Sequence, residues 1–74
     1  MKNLDVPAGY LLGEITAGKL GVVTLWRSPD GKAHVWTFDG PIRTELERFA
    51  RRNGVAFDMV AQALGKTAFD WMEH

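Results

Sequence analysis

Side chains that could do catalytic chemistry are few in this chain, and they lack the partners that such chemistry needs. The two histidines, His34 and His74, have no serine, cysteine or metal-ligating neighbour at a spacing that nucleophilic or metal-assisted catalysis would use. Helix capping or solvation explains Asp58 and Asp70. The sequence therefore predicts a protein that is not an enzyme and that uses no cofactor, metal ion or small-molecule substrate.

Basic side chains are the second candidate, and they are concentrated in residues 41–54. Arginines on an exposed helix face could neutralise phosphates, which supply much of the affinity for nucleic acids. These arginines are Arg43, Arg48, Arg51 and Arg52. No aromatic residue on that face interleaves with them to stack on bases, and the whole chain is neutral, with nine Lys and Arg against nine Asp and Glu. A solvated helix face is the expectation, and nucleic-acid binding is the alternative.

Length and composition limit the remaining choices. Residues 1–74 form a single small domain, which buries only about 60% of the surface of its unfolded chain. The chain has no cysteine that could form a stabilising disulfide, and its 46% hydrophobic content indicates a folded protein. We therefore expect a protein partner or a homodimer. No apolar run could cross a membrane and no signal peptide is recognisable, which predicts a cytoplasmic protein.

Three strands are predicted at about residues 10–16, 20–28 and 33–39. These stretches are rich in β-branched and aromatic residues and are separated by turns that contain glycine. The clearest turn is SPDGK at 28–32, which is typical of a three-residue hairpin loop closed by its first and last residues. The strands are expected to form a three-stranded antiparallel meander.

The hairpin loop also predicts which strand residues share a face. If residue 28 pairs with residue 32, Trp26 lies opposite His34, and one face is rich in aromatic residues. The other face would carry Val23, Leu25 and Val35, flanked by Arg27. Because an antiparallel sheet commonly buries only one face, this second apolar face needs a cover. A partner could supply it, or the N-terminal lead-in or the last helix could fold over it.

Two or three short helices follow, at about residues 41–53, 56–64 and 67–73. Gly40-Pro41 predicts the start of the first helix and Asn53-Gly54 its end. Gly65 is expected to end the second helix, and Thr67 with Asp70 to cap the third. The predicted class is therefore α+β, with the helices packed on one face of the meander.

Residues 33–64 resemble a ribbon-helix-helix DNA-binding protein. The resemblance rests on alternating strand residues that end in Phe38 and on a helical pattern after them. The matching helical positions are Ile42, Leu46, Phe49, Ala50, Gly54, Val55 and Val60. The resemblance implies an intertwined dimer that pairs one strand from each subunit and inserts outward strand residues into the DNA major groove. Residues 49–60 also partly resemble a helix-turn-helix.

On this resemblance, Ala33, Val35 and Thr37 would face the groove. Base edges are read by Arg, Lys, Asn, Gln and hydroxyl side chains, so only Thr37 is suitable. The second helix would begin at Ala56, where a polar cap beside the phosphate is expected, and Phe57 follows it. The hairpin at 28–32 would also occupy one edge of the strand that should pair across the dimer.

The sequence therefore favours non-enzymatic protein binding by a small regulatory or inhibitory module, of the kind that phages and mobile elements encode. The predicted contact residues are Val23, Leu25, Arg27 and Val35, with Trp71 and Met72 as further anchors. The alternative is a dimeric DNA-binding transcriptional regulator of the ribbon-helix-helix type. That regulator would use Thr37, Arg43, Arg48, Arg51 and Arg52.

Overall fold

Five elements follow one another in the computed structural model, which describes residues 6–73. They are the strands β1 (Leu11–Gly18), β2 (Gly21–Arg27) and β3 (His34–Asp39) and the helices α1 (Pro41–Asn53) and α2 (Phe57–Glu73). The strands form one antiparallel sheet in the order β1-β2-β3. The predicted α+β class, a three-stranded meander ahead of helices, is confirmed. His74 and the first half of the N-terminal lead-in lie outside the described residues.

The hydrophobic core lies between one side of the sheet, the core face, and the two helices. The sheet contributes Val23, Leu25, Trp36 and Phe38, and the helices contribute Ile42, Leu46, Ala50, Val60, Ala61, Ala68 and Phe69. The other side of the sheet is the open face. Because side chains alternate along a strand, the strand register assigns to it Leu12, Ile15, Ala17, Val22, Thr24, Trp26, Val35, Thr37 and Asp39.

The hairpin between β2 and β3 is one residue longer than the sequence predicts. Ser28 pairs with Ala33: its N–H donates to the Ala33 carbonyl (2.9 Å), and the Ala33 N–H donates to the Ser28 Oγ (3.0 Å). Within the loop, Asp30 Oδ1 accepts bonds from the Ser28 hydroxyl (2.6 Å) and from the Lys32 N–H (2.9 Å). These bonds keep Lys32 within the loop, so that Ala33, and not Lys32, pairs with Ser28 to close it.

The longer loop shifts the register, so the predicted cross-strand pairs are wrong. Leu25 pairs with Trp36, and Val23 pairs with Phe38. A one-residue shift moves every side chain of β2 to the opposite side of the sheet relative to β3. Val23 and Leu25 therefore lie in the core, with 0% and 5% of their surface exposed. Val35 lies on the open face. The prediction that Val23, Leu25 and Val35 share one outer surface is therefore wrong.

Helix α2 is continuous, so the prediction of two separate helices at 56–64 and 67–73 is wrong. Gly65 lies in the middle of the helix and is buried against Trp36. A Cβ atom at position 65 would overlap Cγ, Cδ1 and Cδ2 of the Trp36 indole. Glycine in a helix interior costs about 1 kcal/mol relative to alanine, and burial of a large aromatic ring gives more than that in return. Gly65 therefore permits close packing and does not end the helix.

The start of α1 is fixed by contact with the turn between β1 and β2. The Ile42 N–H donates to the Leu20 carbonyl at 2.7 Å, which satisfies one of the free amides at the start of the helix. At Gly21, φ is 122°, and a Cβ atom there would overlap the Asp39 carbonyl oxygen. Only glycine fits this corner, where the two backbones meet. The predicted bounds of the first helix, 41–53, are confirmed.

Replacement of Gly65 by alanine should destabilise the protein, although alanine is the better helix former. The added methyl group would overlap the buried ring of Trp36, and overpacking of a core costs about 1–3 kcal/mol. Urea unfolding measures the loss. Thr67→Ala, an exposed change in the same helix, is the control and should change the free energy of unfolding by less than about 0.5 kcal/mol. A Gly65→Ala protein as stable as the wild type would contradict the packing.

The Asp30 loop should make the hairpin sensitive to acid. The Ser28 hydroxyl, followed by the Lys32 N–H, holds the pKa of Asp30 below its ordinary value. A carboxyl group whose pKa is depressed by folding stabilises the folded state above its unfolded pKa of about 3.9, and this contribution is lost as the pH falls through the folded pKa.

Asp30→Asn keeps an oxygen that can accept both loop bonds but cannot titrate. It should therefore lose less stability than the wild type when unfolding is compared at neutral pH and at a pH below the folded pKa. Asp30→Ala removes the acceptor and should be less stable than the wild type at neutral pH. An equal acid-induced loss in the wild type and in Asp30→Asn would show that the loop carboxylate contributes nothing to this pH dependence.

Candidate functional site

The open face carries apolar side chains in rows that run across the three strands. The strand register aligns Leu12, Trp26 and Val35 in one row and Ile15, Thr24 and Thr37 in the next. Leu12 and Ile15 are 58% and 59% exposed. None of the residues in these two rows is charged, and within the described residues the only charged member of the face is Asp39, at its margin. This face is the candidate functional site.

Trp26 is held in a defined position on the open face. Its indole Nε1–H donates to the Thr37 Oγ1 at 2.9 Å, and Thr37 is the diagonal neighbour of Trp26 across β2 and β3. The ring is half-buried and remains partly accessible. A side chain that is already ordered loses less conformational entropy when a partner binds. Trp26 therefore has the properties of an anchor residue, and sequence reasoning missed it because the expected register placed it in the core.

The sequence-predicted protein-contact residues do not form one surface. Val35 lies on the open face, whereas Arg27 lies on the core-face side at the loop end of the sheet. Trp71 is 64% exposed near the end of α2. Met72 is half-buried and packs against β1, where a Cβ atom at Gly18 would lie 3.4 Å from its Cε. Of this set, only Val35 belongs to the candidate site.

Two of the four candidate arginines are engaged within the protein. Arg43 donates to Glu47 Oε2 at 3.1 Å and lies over the Phe57 ring, 5.0 Å from its centroid. Arg48 donates to Glu45 Oε2 at 2.9 Å. Local acids therefore offset much of the charge that would attract a phosphate.

Arg51 and Arg52 lie in the last turn of α1, and both are exposed. Within residues 6–73 they form neither an ion pair nor a side-chain hydrogen bond. Cations at a helix C-terminus interact favourably with the helix dipole, by about 0.3–1 kcal/mol. Their position therefore has a structural explanation, although their charges are accessible to an external anion.

A groove of about 490 Å³ opens between α2 and the loop end of the core face. Leu25, Trp36 and Phe69 contribute apolar surface to it. Its other lining residues are Glu14, Arg27, His34, Gln62, Ala63, Lys66 and Asp70. The acidic and basic side chains balance, and no cluster of three or more metal-ligating side chains forms among the residues that the structure describes. The sequence did not predict this groove, because α2 was expected to be interrupted at Gly65.

The outer edge of β3 is occupied by a side chain of α2. The Trp36 N–H donates to Gln62 Oε1 (2.8 Å), and Gln62 Nε2 donates to the Trp36 carbonyl (3.1 Å). The Phe38 carbonyl accepts a longer bond from Arg43 Nη1, at 3.5 Å. Gln62 thus makes the two bonds that an added strand would make at Trp36. A polar amide between Ala61 and Ala63 is the sequence signal that could have indicated this role.

Comparisons of the chain with protein-family models, curated proteins and solved structures give no match. Among residues 6–73, neither helix has the length and apolar character needed to cross a membrane.

Loss of the Gln62 amide should destabilise the fold and expose the β3 edge. In Gln62→Ala, the Trp36 N–H and C=O lose their partner, which costs about 1–3 kcal/mol when the groups remain shielded from water. Exposed strand edges also promote association, so light scattering should detect increased self-association. Gln62→Glu retains an acceptor for the N–H and should be affected less in its urea unfolding. Unchanged unfolding of Gln62→Ala would contradict this role.

Proposed function

We propose that this chain is a non-enzymatic protein-binding module that docks a partner on the open face of its sheet. The observation that supports the proposal is the row formed by Leu12, Trp26 and Val35, next to the exposed Ile15. Both helices pack on the other side of the sheet. In this row Leu12 is exposed, and Trp26 and Val35 are half-buried. Contiguous exposed apolar surface on a small protein usually marks an association site.

The open face also limits the chemistry of the partner. The centres of protein interfaces are depleted in charged residues, and tryptophan is enriched among the residues that dominate binding energy. The rows around Trp26 carry aliphatic, aromatic and hydroxyl side chains. The partner should therefore present an apolar surface with a recess that accepts the Trp26 ring.

The proposed role is regulatory or inhibitory. A chain that performs no reaction of its own acts by occupying a surface of its partner, so its effect should be stoichiometric. A small, neutral domain can occupy such a surface without long-range electrostatic attraction. The association is therefore expected to be only weakly dependent on salt.

A dimeric DNA-binding regulator is the second candidate, and the exposed pair Arg51 and Arg52 favours it. Two observations weigh against it. Ribbon-helix-helix dimers pair the strand that precedes the helices, and Gln62 occupies the edge of that strand at Trp36. The hydroxyl of Thr37, the one suitable base reader on the strand, holds Trp26. We therefore rank protein binding first.

Substitutions on the open face should weaken capture of a partner. The immobilised chain is incubated with host lysate, with and without nuclease, and the affinity of the captured protein is then measured by calorimetry. Trp26→Ala and Val35→Asp should each lower that affinity by about tenfold or more, because they remove apolar contact at the centre of the interface. Met59→Asp, at an exposed position on α2, is the control and should have little effect.

Circular dichroism and urea unfolding establish that each variant is folded before its affinity is interpreted. Equal binding by the wild type, Trp26→Ala and Val35→Asp would contradict the open-face site. Capture that nuclease abolishes, that salt weakens and that is lost in the triple variant Arg48→Ala, Arg51→Ala and Arg52→Ala would support the DNA-binding candidate instead.

A further inference from the structure

The two edges of the sheet differ, and β1 forms the open one. β1 lies at the side of the sheet opposite β3, and among residues 6–73 it pairs only with β2. Its residues are exposed along its whole length except for the half-buried Thr16. In contrast to β3, where Gln62 bonds both backbone groups of Trp36, no side chain among the described residues bonds the outer edge of β1.

The pattern of backbone hydrogen bonds between the strands determines which N–H and C=O groups of β1 point away from β2. Because Trp36 directs its N–H and C=O to Gln62, the Leu25–Trp36 pair does not exchange backbone bonds. Leu25 must then direct its own N–H and C=O toward Glu14 on β1. Alternation along β1 therefore turns the backbone groups of Ile15 and Ala17 outward, away from β2.

Three large hydrophobic side chains of β1 remain exposed. They are Leu11, Leu12 and Ile15. Exposed apolar side chains beside unpaired backbone groups are the combination that a further strand would cover.

We propose that a second copy of this chain pairs with β1 in antiparallel orientation, with the twofold axis at Thr16. The regular part of β1 runs from Glu14, after the bulge at Gly13, to Gly18, and its central residue is Thr16. In this register Ile15 of each copy exchanges backbone bonds with Ala17 of the other. The two sheets become one continuous sheet.

A second copy suits this edge because the edge is complementary to itself. The register places Glu14 opposite Gly18 of the second copy, so no like charges meet, and the neutral chain carries no net repulsion. Twofold pairing of identical surfaces is the commonest mode of assembly. A small domain with one core and no disulfide has little stability of its own, so burial of further apolar surface in a dimer would add to its stability. The pairing uses the backbone edge of β1, whereas the proposed protein partner would contact the open face, and the two surfaces share Leu12 and Ile15. Thr16 lies on the other side of the sheet, so a substitution there tests the pairing without changing the open face.

Cysteine substitution tests the register directly, because the chain has no cysteine of its own. Cα atoms of a pair that does not exchange backbone bonds lie about 4.5 Å apart, within the range of about 4.4–6.8 Å that a disulfide spans. Thr16→Cys should therefore oxidise to a covalent dimer of about twice the 8.3 kDa chain mass. Ala17→Cys, which faces Ile15, and Thr44→Cys, exposed on α1, are the controls and should cross-link much more slowly.

A matched pair of charge variants tests the same edge without a cross-link. Ile15→Lys with Ala17→Lys brings like charges opposite each other, whereas Ile15→Lys with Ala17→Glu removes the same side chains but brings opposite charges together. Light scattering after size exclusion should give the dimer mass for the wild type and the Lys/Glu variant and the monomer mass for the Lys/Lys variant. Circular dichroism verifies that both variants are folded.

Two results would overturn the proposal. One is a wild-type chain that remains monomeric at every concentration measured. The other is oxidation that proceeds faster through Ala17→Cys than through Thr16→Cys, because that preference would place the axis elsewhere on β1 or indicate random collision.

Discussion

The contact between Trp36 and helix α2 determines most of this structure. The backbone of Trp36 is bonded by the Gln62 amide, its indole lies against the backbone at Gly65, and its ring packs at a tilt against Phe69, with 5.7 Å between centroids. One strand residue thus contacts three positions along the helix. The contact fixes how α2 crosses the sheet, buries the core face and supplies one wall of the groove beside α2.

The same contact makes the sheet asymmetric. At Trp36 the edge of β3 is blocked by Gln62, and the core face is covered by both helices. Among the described residues, neither helix packs on the open face, and no side chain bonds the outer edge of β1. Natural sheets commonly protect their edges against unwanted pairing, and here one edge is protected while the other is not. The open face lies on the side of the sheet away from α1 and α2, and no described side chain caps the outer edge of β1 as Gln62 caps the edge of β3.

Local sequence patterns predicted the strands and the first helix well. The continuity of α2 and the strand register depend on tertiary contacts and loop bonds that these patterns do not contain. Pro41 and Gly54 delimit α1 within the sequence itself. A glycine such as Gly65 can either end a helix or allow a neighbouring side chain to pack against the helix backbone. The Trp36 ring, which lies on β3, decides for the second role. The register likewise depends on side-chain bonds from Asp30 inside the loop, which turn statistics do not include. Val35 was correctly predicted to face outward, while Val23 and Leu25 were assigned to the wrong side of the sheet.

The one-residue difference in register also changes the chemistry of the candidate site. In the expected register Trp26 would be a core residue, and the outer surface would consist of aliphatic side chains beside Arg27. In the observed register Trp26 lies on the open face, and Thr37 holds its indole N–H. The hydroxyl that a strand-based DNA reader would direct at a base edge therefore accepts the bond from the Trp26 indole. This exchange supports our proposal of an apolar protein partner over the alternative of a nucleic acid.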